Sequence, residues 1–244
     1  MHRRARIDGV ATAWVEASPA KDEGGAPFVL VPGLSMSWHA YRWLIPHLAD
    51  TRSLLVVDPP GAGRSRRLPG DMGVEAQAAH LSRWLDVAGV DDADLAGHSL
   101  GALTAARLAA LRPGLARSVT LISPSPDPRL PRLRDHIGAL VRGVPDEAPR
   151  VLAQAAGDYL RSSPLAVAAF RADIGRGPGS VAQGVSAPVT VVRGSADEVS
   201  SQEWCAAIAT AAGGRLAVVP DGGHGLPQQH PQAVAAILDQ AALR

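Results

Sequence analysis

The stretch LAGHSLGA, residues 95–102, joins a short apolar run to an alanine-rich helical pattern. Within it, GHSLG at 97–101 fits the pattern G-x-S-x-G. The motif alone is only moderately specific for a catalytic serine. Its position makes it more specific, because a predicted strand (93–97) precedes it and a predicted helix (102 onward) follows it, as in a nucleophile elbow. Such a turn strains the serine backbone, and the two glycines remove side chains that would collide across it. We therefore interpret Ser99 as a candidate nucleophile rather than an ordinary helix start.

Strand and helix patterns alternate on both sides of this turn. A hairpin over 3–16, turning at Asp8-Gly9, comes first. Short apolar runs typical of strands buried on both faces follow at 26–33, 53–61, 93–99, 118–123, 188–197 and 215–222. Helical patterns lie between and after them, at 38–48, 74–88, 101–111, 201–212 and 231–242. This order predicts an α/β fold, with a mostly parallel sheet covered by helices on both faces.

Residues 124–186 interrupt that alternation. They are rich in Pro, Arg and Ala, show no convincing strand, and fit three helical stretches at about 129–142, 146–161 and 164–174. We therefore divide the chain into a core of 1–123 and 187–244 and a short helical cap insertion at 124–186. Insertions of this kind usually lie over the carboxyl edge of the sheet, where ligands bind.

A serine nucleophile needs a base, and the base needs an orienting acid. Asp197 in VVRGSADE follows one predicted strand, and His224 in VVPDGGHG follows the next. Both loops belong to the sheet edge that carries Ser99, so we predict a Ser99–His224–Asp197 triad. Asp127, after the strand at 118–123, stays open as an alternative acid.

The remaining catalytic requirement is an oxyanion hole. One donor is expected to be the backbone N–H of Leu100, and the other that of Leu34, because Pro32 has no N–H. Gly33 and His98 are predicted to lie beside the substrate. The other helical histidines are interpreted as surface or core residues: His39, His47, His80 and His136.

Composition narrows the possible partners. Twenty-four basic and 23 acidic residues give a net charge of +1, which does not favour nucleic acid or an anionic membrane. No secretory leader is visible, and no apolar run approaches the roughly 18 residues of a membrane helix. The single cysteine, Cys205, has no partner for a disulfide and no metal-ligand neighbours. We expect a cytoplasmic protein that acts on a small molecule and needs no metal or cofactor.

Taken together, the motifs resemble those of the α/β-hydrolase superfamily, in the branch of small serine hydrolases, esterases and cofactor-free haloperoxidase-like proteins. The resemblance covers nearly the whole chain and rests on five motifs in order: VPGLS (31–35), DPPGAGRS (58–65), GHSLG (97–101), RGSADE (193–198) and GGHG (222–225). It implies a helical cap over the pocket. A serine nucleophile argues against the dehalogenase and epoxide hydrolase branches. Pro32 stands where the family usually has a histidine that supports the oxyanion loop.

The resemblance implies hydrolysis of an ester, thioester or lactone through an acyl-enzyme. Alternatives are C–C bond hydrolysis, lyase or perhydrolase chemistry with the same triad, and a non-enzymatic small-molecule receptor or regulatory partner. Apolar cap residues favour a modest, mainly apolar substrate: Leu133, Ile137, Leu140, Val141, Leu152, Tyr159, Leu160 and Phe170. Gly61-x-Gly63 in DPPGAGRS also suggests a dinucleotide loop, but Arg66 stands at the third glycine and no helix opens there.

Overall fold

One eight-stranded sheet organises the fold. The computed structural model describes residues 1–19, 24–143, 153, 157 and 164–243. The strands are β1 His2–Ile7, β2 Val10–Ala17, β3 Phe28–Val31, β4 Leu54–Val57, β5 Ala93–His98, β6 Ala116–Ile122, β7 Val189–Gly194 and β8 Arg215–Val219. Their order in the sheet is β1-β2-β4-β3-β5-β6-β7-β8. β2 is antiparallel to both β1 and β4, and every other neighbouring pair is parallel. The predicted, mostly parallel sheet is confirmed.

Helices cover both faces of this sheet. They are α1 Ile45–Ala49, α2 Val74–Ala88, α3 Leu100–Leu111, α4 Leu133–Gly143, α5 Pro164–Asp173, α6 Pro178–Ala182, α7 Gln202–Ala211, α8 Leu226–Gln229 and α9 Pro231–Ala242. Successive residues of β3 point to opposite faces of the sheet and belong to two apolar clusters. Val29 and Val31 pack with α2, α3 and α7, whereas Phe28 and Leu30 pack with α1 and α9. Within the described part of the chain, no helix combines the length and the apolar character needed to cross a bilayer.

The predicted helix at 38–48 is corrected by the structure. A 3₁₀ turn at Trp38–Tyr41 is followed by the separate short helix α1. Pro46 explains part of the break, because it has no N–H for the bond that would continue the helix. By contrast, α2 covers the predicted 74–88, and Gly89 closes it in the left-handed conformation at φ 71°.

Between β6 and β7 the described residues form helices and no strand. α4 and α5 correspond to two of the three predicted stretches, and within the third, 146–161, the structure describes only residues 153 and 157, both of them helical. α4 begins four residues later than predicted. The structure adds α6 here, and α8 after β8, both too short to show a helical period in the sequence.

Candidate active site

Ser99 occupies the turn between β5 and α3 in a conformation that L-residues rarely adopt. Its φ is 55° and its ψ is −123°, and its N–H donates to the Ile122 carbonyl at 2.9 Å. The flanking glycines leave room for this turn. A Cβ on Gly97 would lie 2.1 Å from the Gly101 carbonyl oxygen, and one on Gly101 would lie 2.3 Å from that of Pro32. The local sequence therefore permits a strained serine that points out of the sheet edge.

The loops after β7 and β8 bring the two other predicted residues to this serine. His224 Nε2 lies 3.1 Å from Ser99 Oγ, within hydrogen-bond distance. His224 Nδ1 lies 3.2 Å from each carboxylate oxygen of Asp197. The three side chains thus form a continuous line from carboxylate through imidazole to hydroxyl, which is the geometry that general-base activation of a serine requires.

Asp197 is held as a carboxylate. Its side chain is fully buried, and Oδ1 also accepts the N–H groups of Val199 at 2.9 Å and Ser200 at 3.0 Å. Burial acts to raise the pKa of Asp197, but the charge and hydrogen bond of His224 and the Ser200 N–H outweigh it, so the pKa falls to about 2. An ionised Asp197 fixes the proton of His224 on Nδ1 and leaves Nε2 free to accept the Ser99 proton.

The acid and base loops support each other. The Ala196 N–H donates to the Gly222 carbonyl at 2.9 Å, and a Cβ on Gly194 would lie only 2.0 Å from that oxygen. A second support was not predicted from the sequence: the buried Arg193 donates to the carbonyls of Asp197 at 3.1 Å and Ser200 at 3.2 Å. The sequence signal for this role was an arginine at the end of an apolar run.

His98, one of the predicted substrate-binding residues, is buried in the structure. The residue is 3% exposed, and Nε2 lies 2.8 Å from the carbonyl oxygen of His224. Burial, followed by the nearby His224, lowers the pKa of His98 to about 3. The neutral ring therefore donates from Nε2 to this carbonyl and supports the backbone of the base.

Asp127, the alternative acid, is committed elsewhere. It is buried, and Oδ2 accepts the Ser201 N–H at 2.9 Å, while Oδ1 accepts the Arg129 N–H at 2.8 Å. The Arg129 guanidinium also pairs with it at 3.2 Å. The structure thus brings Asp197 to His224 and uses Asp127 to fix the start of α7.

The predicted oxyanion loop lies against the elbow. A Cβ on Gly33 would lie 3.1 Å from Ser99 Cβ, so the loop that carries Leu34 approaches the serine closely. Leu100 is the first residue of α3, where backbone N–H groups have no acceptor within the helix. The segments that carry the two predicted donors thus both adjoin the serine, and the donor roles of Leu34 and Leu100 stay a prediction.

A buried carboxylate braces this loop where the family histidine is replaced by Pro32. Asp58 accepts the N–H groups of Trp38 at 2.8 Å and Arg64 at 2.9 Å, and it is almost fully buried. A Cβ on Gly63 would lie 2.5 Å from the Asp58 carboxyl group. Gly63 of DPPGAGRS is thus explained by this close packing against Asp58.

The cap residues divide between the interior and the surface. Phe170 is buried and Leu133 packs against the same apolar cluster, but Ile137 and Val141 are 52% and 63% exposed. Leu140 is also exposed, and Leu152, Tyr159 and Leu160 lie outside the described residues.

Several known proteins resemble this chain in sequence or in fold. Residues 26–175 match the family model described as the alpha/beta hydrolase fold. The chain is 36% identical over 109 residues to the N-formylmaleamate deformylase of Pseudomonas putida, covering 43% of this chain and 40% of that protein. It is 34% identical over 103 residues to the 2-hydroxy-6-oxo-2,4-heptadienoate hydrolase of P. putida, covering 40% and 37%. The matched stretch thus spans about two fifths of these curated relatives. The crystal structure of Cfl2 from Burkholderia cenocepacia superimposes with a TM-score of 0.79 at 24% identity, covering 99% of this chain and 95% of that one.

Proposed function

The chain belongs to the α/β-hydrolase family, and we propose that it is a serine hydrolase that cleaves an ester, thioester or lactone of a small, mainly apolar substrate. The observation that carries this proposal is the 3.1 Å contact between His224 Nε2 and Ser99 Oγ, backed by the buried Asp197 carboxylate on Nδ1. The names of the two curated relatives, a hydrolase and a deformylase, are consistent with it.

Each residue has a defined task in this reaction. His224 takes the proton of Ser99, and Ser99 Oγ attacks the substrate carbonyl. The N–H groups of Leu34 and Leu100 stabilise the resulting oxyanion. His224 then returns its proton to the leaving group, and an acyl-enzyme forms on Ser99. Water, activated by His224, hydrolyses this ester and restores the free serine.

The cap at 124–186 supplies the substrate selectivity in this proposal. It joins β6 to β7, and the loop after β7 carries Asp197 of the site. Its residues Phe170 and Leu133, on α5 and α4, are apolar, and we expect the cap to favour an apolar acyl chain or ring.

Covalent labelling tests the proposal. A fluorophosphonate probe should modify Ser99 in the intact protein, as located by mass spectrometry. Ser99→Ala should abolish this label and reduce hydrolysis of short p-nitrophenyl esters by about a thousandfold or more. Ser180→Ala, at an exposed serine of α6, is the matched control and should change neither measurement. An unlabelled Ser99 would instead support a receptor with an idle triad.

A second candidate reaction is C–C bond hydrolysis. The specific observation in its favour is the likeness to 2-hydroxy-6-oxo-2,4-heptadienoate hydrolase. The same residues would then act on a carbon–carbon bond beside a ketone. Parallel assays with a vinylogous 1,5-diketone and with p-nitrophenyl esters distinguish C–C bond hydrolysis from ester hydrolysis. The proposed esterase should turn over only the esters efficiently.

A further inference from the structure

A serine without a role in the reaction above lies between the nucleophile and the acid. Ser123 is the first residue after β6, the strand that separates β5 from β7 in the sheet. The Ser99 N–H donates to the Ile122 carbonyl at 2.9 Å, and the Ser123 N–H donates to the Val192 carbonyl at 2.7 Å. Ser123 therefore sits at the sheet edge between the turn of Ser99 and the loop that carries Asp197.

The loop that begins at this serine is tied to both sides of the site. On one side, the Ser125 N–H donates to the Ser99 carbonyl at 3.3 Å. On the other side, Ser200 Oγ donates to the Pro124 carbonyl at 2.9 Å, and the Ser200 N–H donates to Asp197 Oδ1 at 3.0 Å. A continuous set of hydrogen bonds thus connects the nucleophile with the acid through residues 123–125.

Ser123 holds a conformation that is unfavourable for a residue with a side chain. It is fully buried, and its φ of 47° lies in the left-handed region, as does the φ of 55° of Ser99. Strained residues of this kind cluster at functional sites. A glycine would take up this turn without strain, so the turn alone does not explain a serine here.

The hydroxyl group of Ser123 acts on the Asp197 carboxylate. Burial raises the pKa of Asp197, and the charge of His224 and several hydrogen bonds lower it. One of these hydrogen bonds comes from Ser123. It is a loose one, because Ser123 Oγ meets no acceptor among the described residues at full hydrogen-bond distance and angle. Catalytic hydrogen bonds are often long in a free enzyme and tighten in the reacting complex.

We propose that Ser123 is a positioning residue, whose hydroxyl group donates to the Asp197 carboxylate and holds it in line with His224. The backbone donors to this carboxylate, Val199 and Ser200, belong to the acid loop itself. Ser123 comes from the neighbouring strand and therefore anchors the carboxylate to the sheet. In this role it acts through Asp197 and needs no contact with the substrate. The inference rests on the proposed hydrolase function.

Three variants of Ser123 separate the hydroxyl group from the turn. Ser123→Ala and Ser123→Gly both remove the hydroxyl group, but glycine also relieves the positive φ. Both should lower kcat on a p-nitrophenyl ester by about five- to tenfold at unchanged KM. Ser123→Cys keeps a weaker donor and should retain more of kcat. Full activity of Ser123→Gly would show that the position serves the turn alone and would overturn the inference.

Thr120→Val is the matched control. Thr120 lies on the same strand, is also buried, and its hydroxyl group likewise meets no acceptor among the described residues. Valine has nearly the same shape, so the variant removes a hydroxyl group without opening a cavity. Its kcat and KM should equal those of wild type. Circular dichroism on all the variants checks that they fold.

The pH profile gives a measurement that a change in packing would not move. Without the Ser123 donor the charge of Asp197 is less neutralised, so protonation of His224 becomes more favourable. The midpoint of the acidic limb of kcat/KM should therefore rise by about half a pH unit in Ser123→Ala and Ser123→Gly. It should stay in place in Thr120→Val.

NMR titration of His224 distinguishes a failure of this inference from a failure of the proposed function. A protein that neither hydrolyses any ester nor labels at Ser99 would contradict the hydrolase proposal. The Cε1–H signal of His224, assigned with His224→Gln, still reports its protonation in that case. Its midpoint should be higher in Ser123→Ala than in wild type, and identical midpoints in the two proteins would overturn the role of Ser123.

Discussion

His98 contacts the backbone of His224, the proposed base, with its Nε2 2.8 Å from the carbonyl oxygen of His224. The residue immediately before the nucleophile thus fixes the backbone of a residue 126 positions later in the chain. Because the pKa of His98 is lowered to about 3, this donor persists throughout the pH range in which His224 can work as a base. The elbow therefore positions the serine and its base together.

Replacing His98 should lower kcat rather than raise KM. His98→Leu leaves the His224 carbonyl buried without its donor, and a misplacement of the base by about 1 Å costs up to about a hundredfold in rate. His98→Gln retains an N–H donor and should recover much of kcat. Steady-state kinetics on a p-nitrophenyl ester check this, with circular dichroism as the control for folding. A rise in KM at constant kcat would show that His98 binds substrate after all.

Replacement by asparagine should lower the activity far more at Asp197 than at Asp127. Asp197→Asn removes the charge that orients and stabilises protonated His224, and we expect kcat/KM to fall by about a thousandfold or more. Asp127→Asn removes the charge beside Arg129 but keeps an acceptor for the Ser201 N–H, so kcat/KM should stay within about tenfold of wild type. If Asp127→Asn proved the more damaging, Asp127 would be the catalytic acid.

Buried neutral histidines should make the protein sensitive to mild acid. Burial lowers the pKa of His80 from 6.5 to about 4, so the unfolded chain takes up this proton at a higher pH than the folded one. The free energy of unfolding therefore decreases as the pH falls from about 6.5 toward about 4, by up to about 1.4 kcal/mol per pH unit for each such histidine. Urea unfolding at about pH 6 and about pH 4.5 measures this slope.

His80→Gln isolates the contribution of one ring. The amide can still meet Thr12 but does not titrate, so the slope should decrease by about 1.4 kcal/mol per pH unit. Because His80 lies on α2, away from the triad, the activity at neutral pH should be preserved. An unchanged slope would mean that His80 is already protonated in the folded protein at about pH 5.

The sequence predicted those helices and strands whose positions are set by neighbouring residues along the chain. α2 shows a clear apolar face and ends at a glycine that takes up φ 71°, so its bounds could be read from the sequence. The loops that end at Asp197 and His224 were recognisable because buried strands end just before them. The 3₁₀ turn at 38–41 was not recognisable, because its first N–H, that of Trp38, is accepted by Asp58, 20 residues away in the sequence, although Pro46 offered a local signal for the break before α1.

Supporting residues of the site escaped sequence reasoning for the same reason. Arg193 holds the acid loop through two carbonyl groups, and His98 holds the base through one, but neither contact follows from residue type or spacing. Such roles depend on which loops meet at the sheet edge.

The close approach of β3 to the elbow should be the least tolerant feature of the site. A Cβ on Gly101 would lie 2.3 Å from the carbonyl oxygens of Val31 and Pro32, so Gly101→Ala must push the oxyanion loop away from Ser99. We expect a loss of about 1–3 kcal/mol in the free energy of unfolding, from overpacking, and slower fluorophosphonate labelling, because the Leu34 N–H moves out of position.

Gly179→Ala is the matched control, since Gly179 also lies in a helix and an added Cβ would meet nothing within 4 Å. This variant should keep full activity and equal or exceed the stability of wild type, because alanine restricts the unfolded chain. Normal labelling and turnover in Gly101→Ala would show that the loop after β3 does not supply the second oxyanion donor. A Gly101→Ala protein that is less stable but is labelled at the normal rate would likewise show that the Leu34 N–H is not the second oxyanion donor. Stability and labelling rate together therefore decide the role of Leu34.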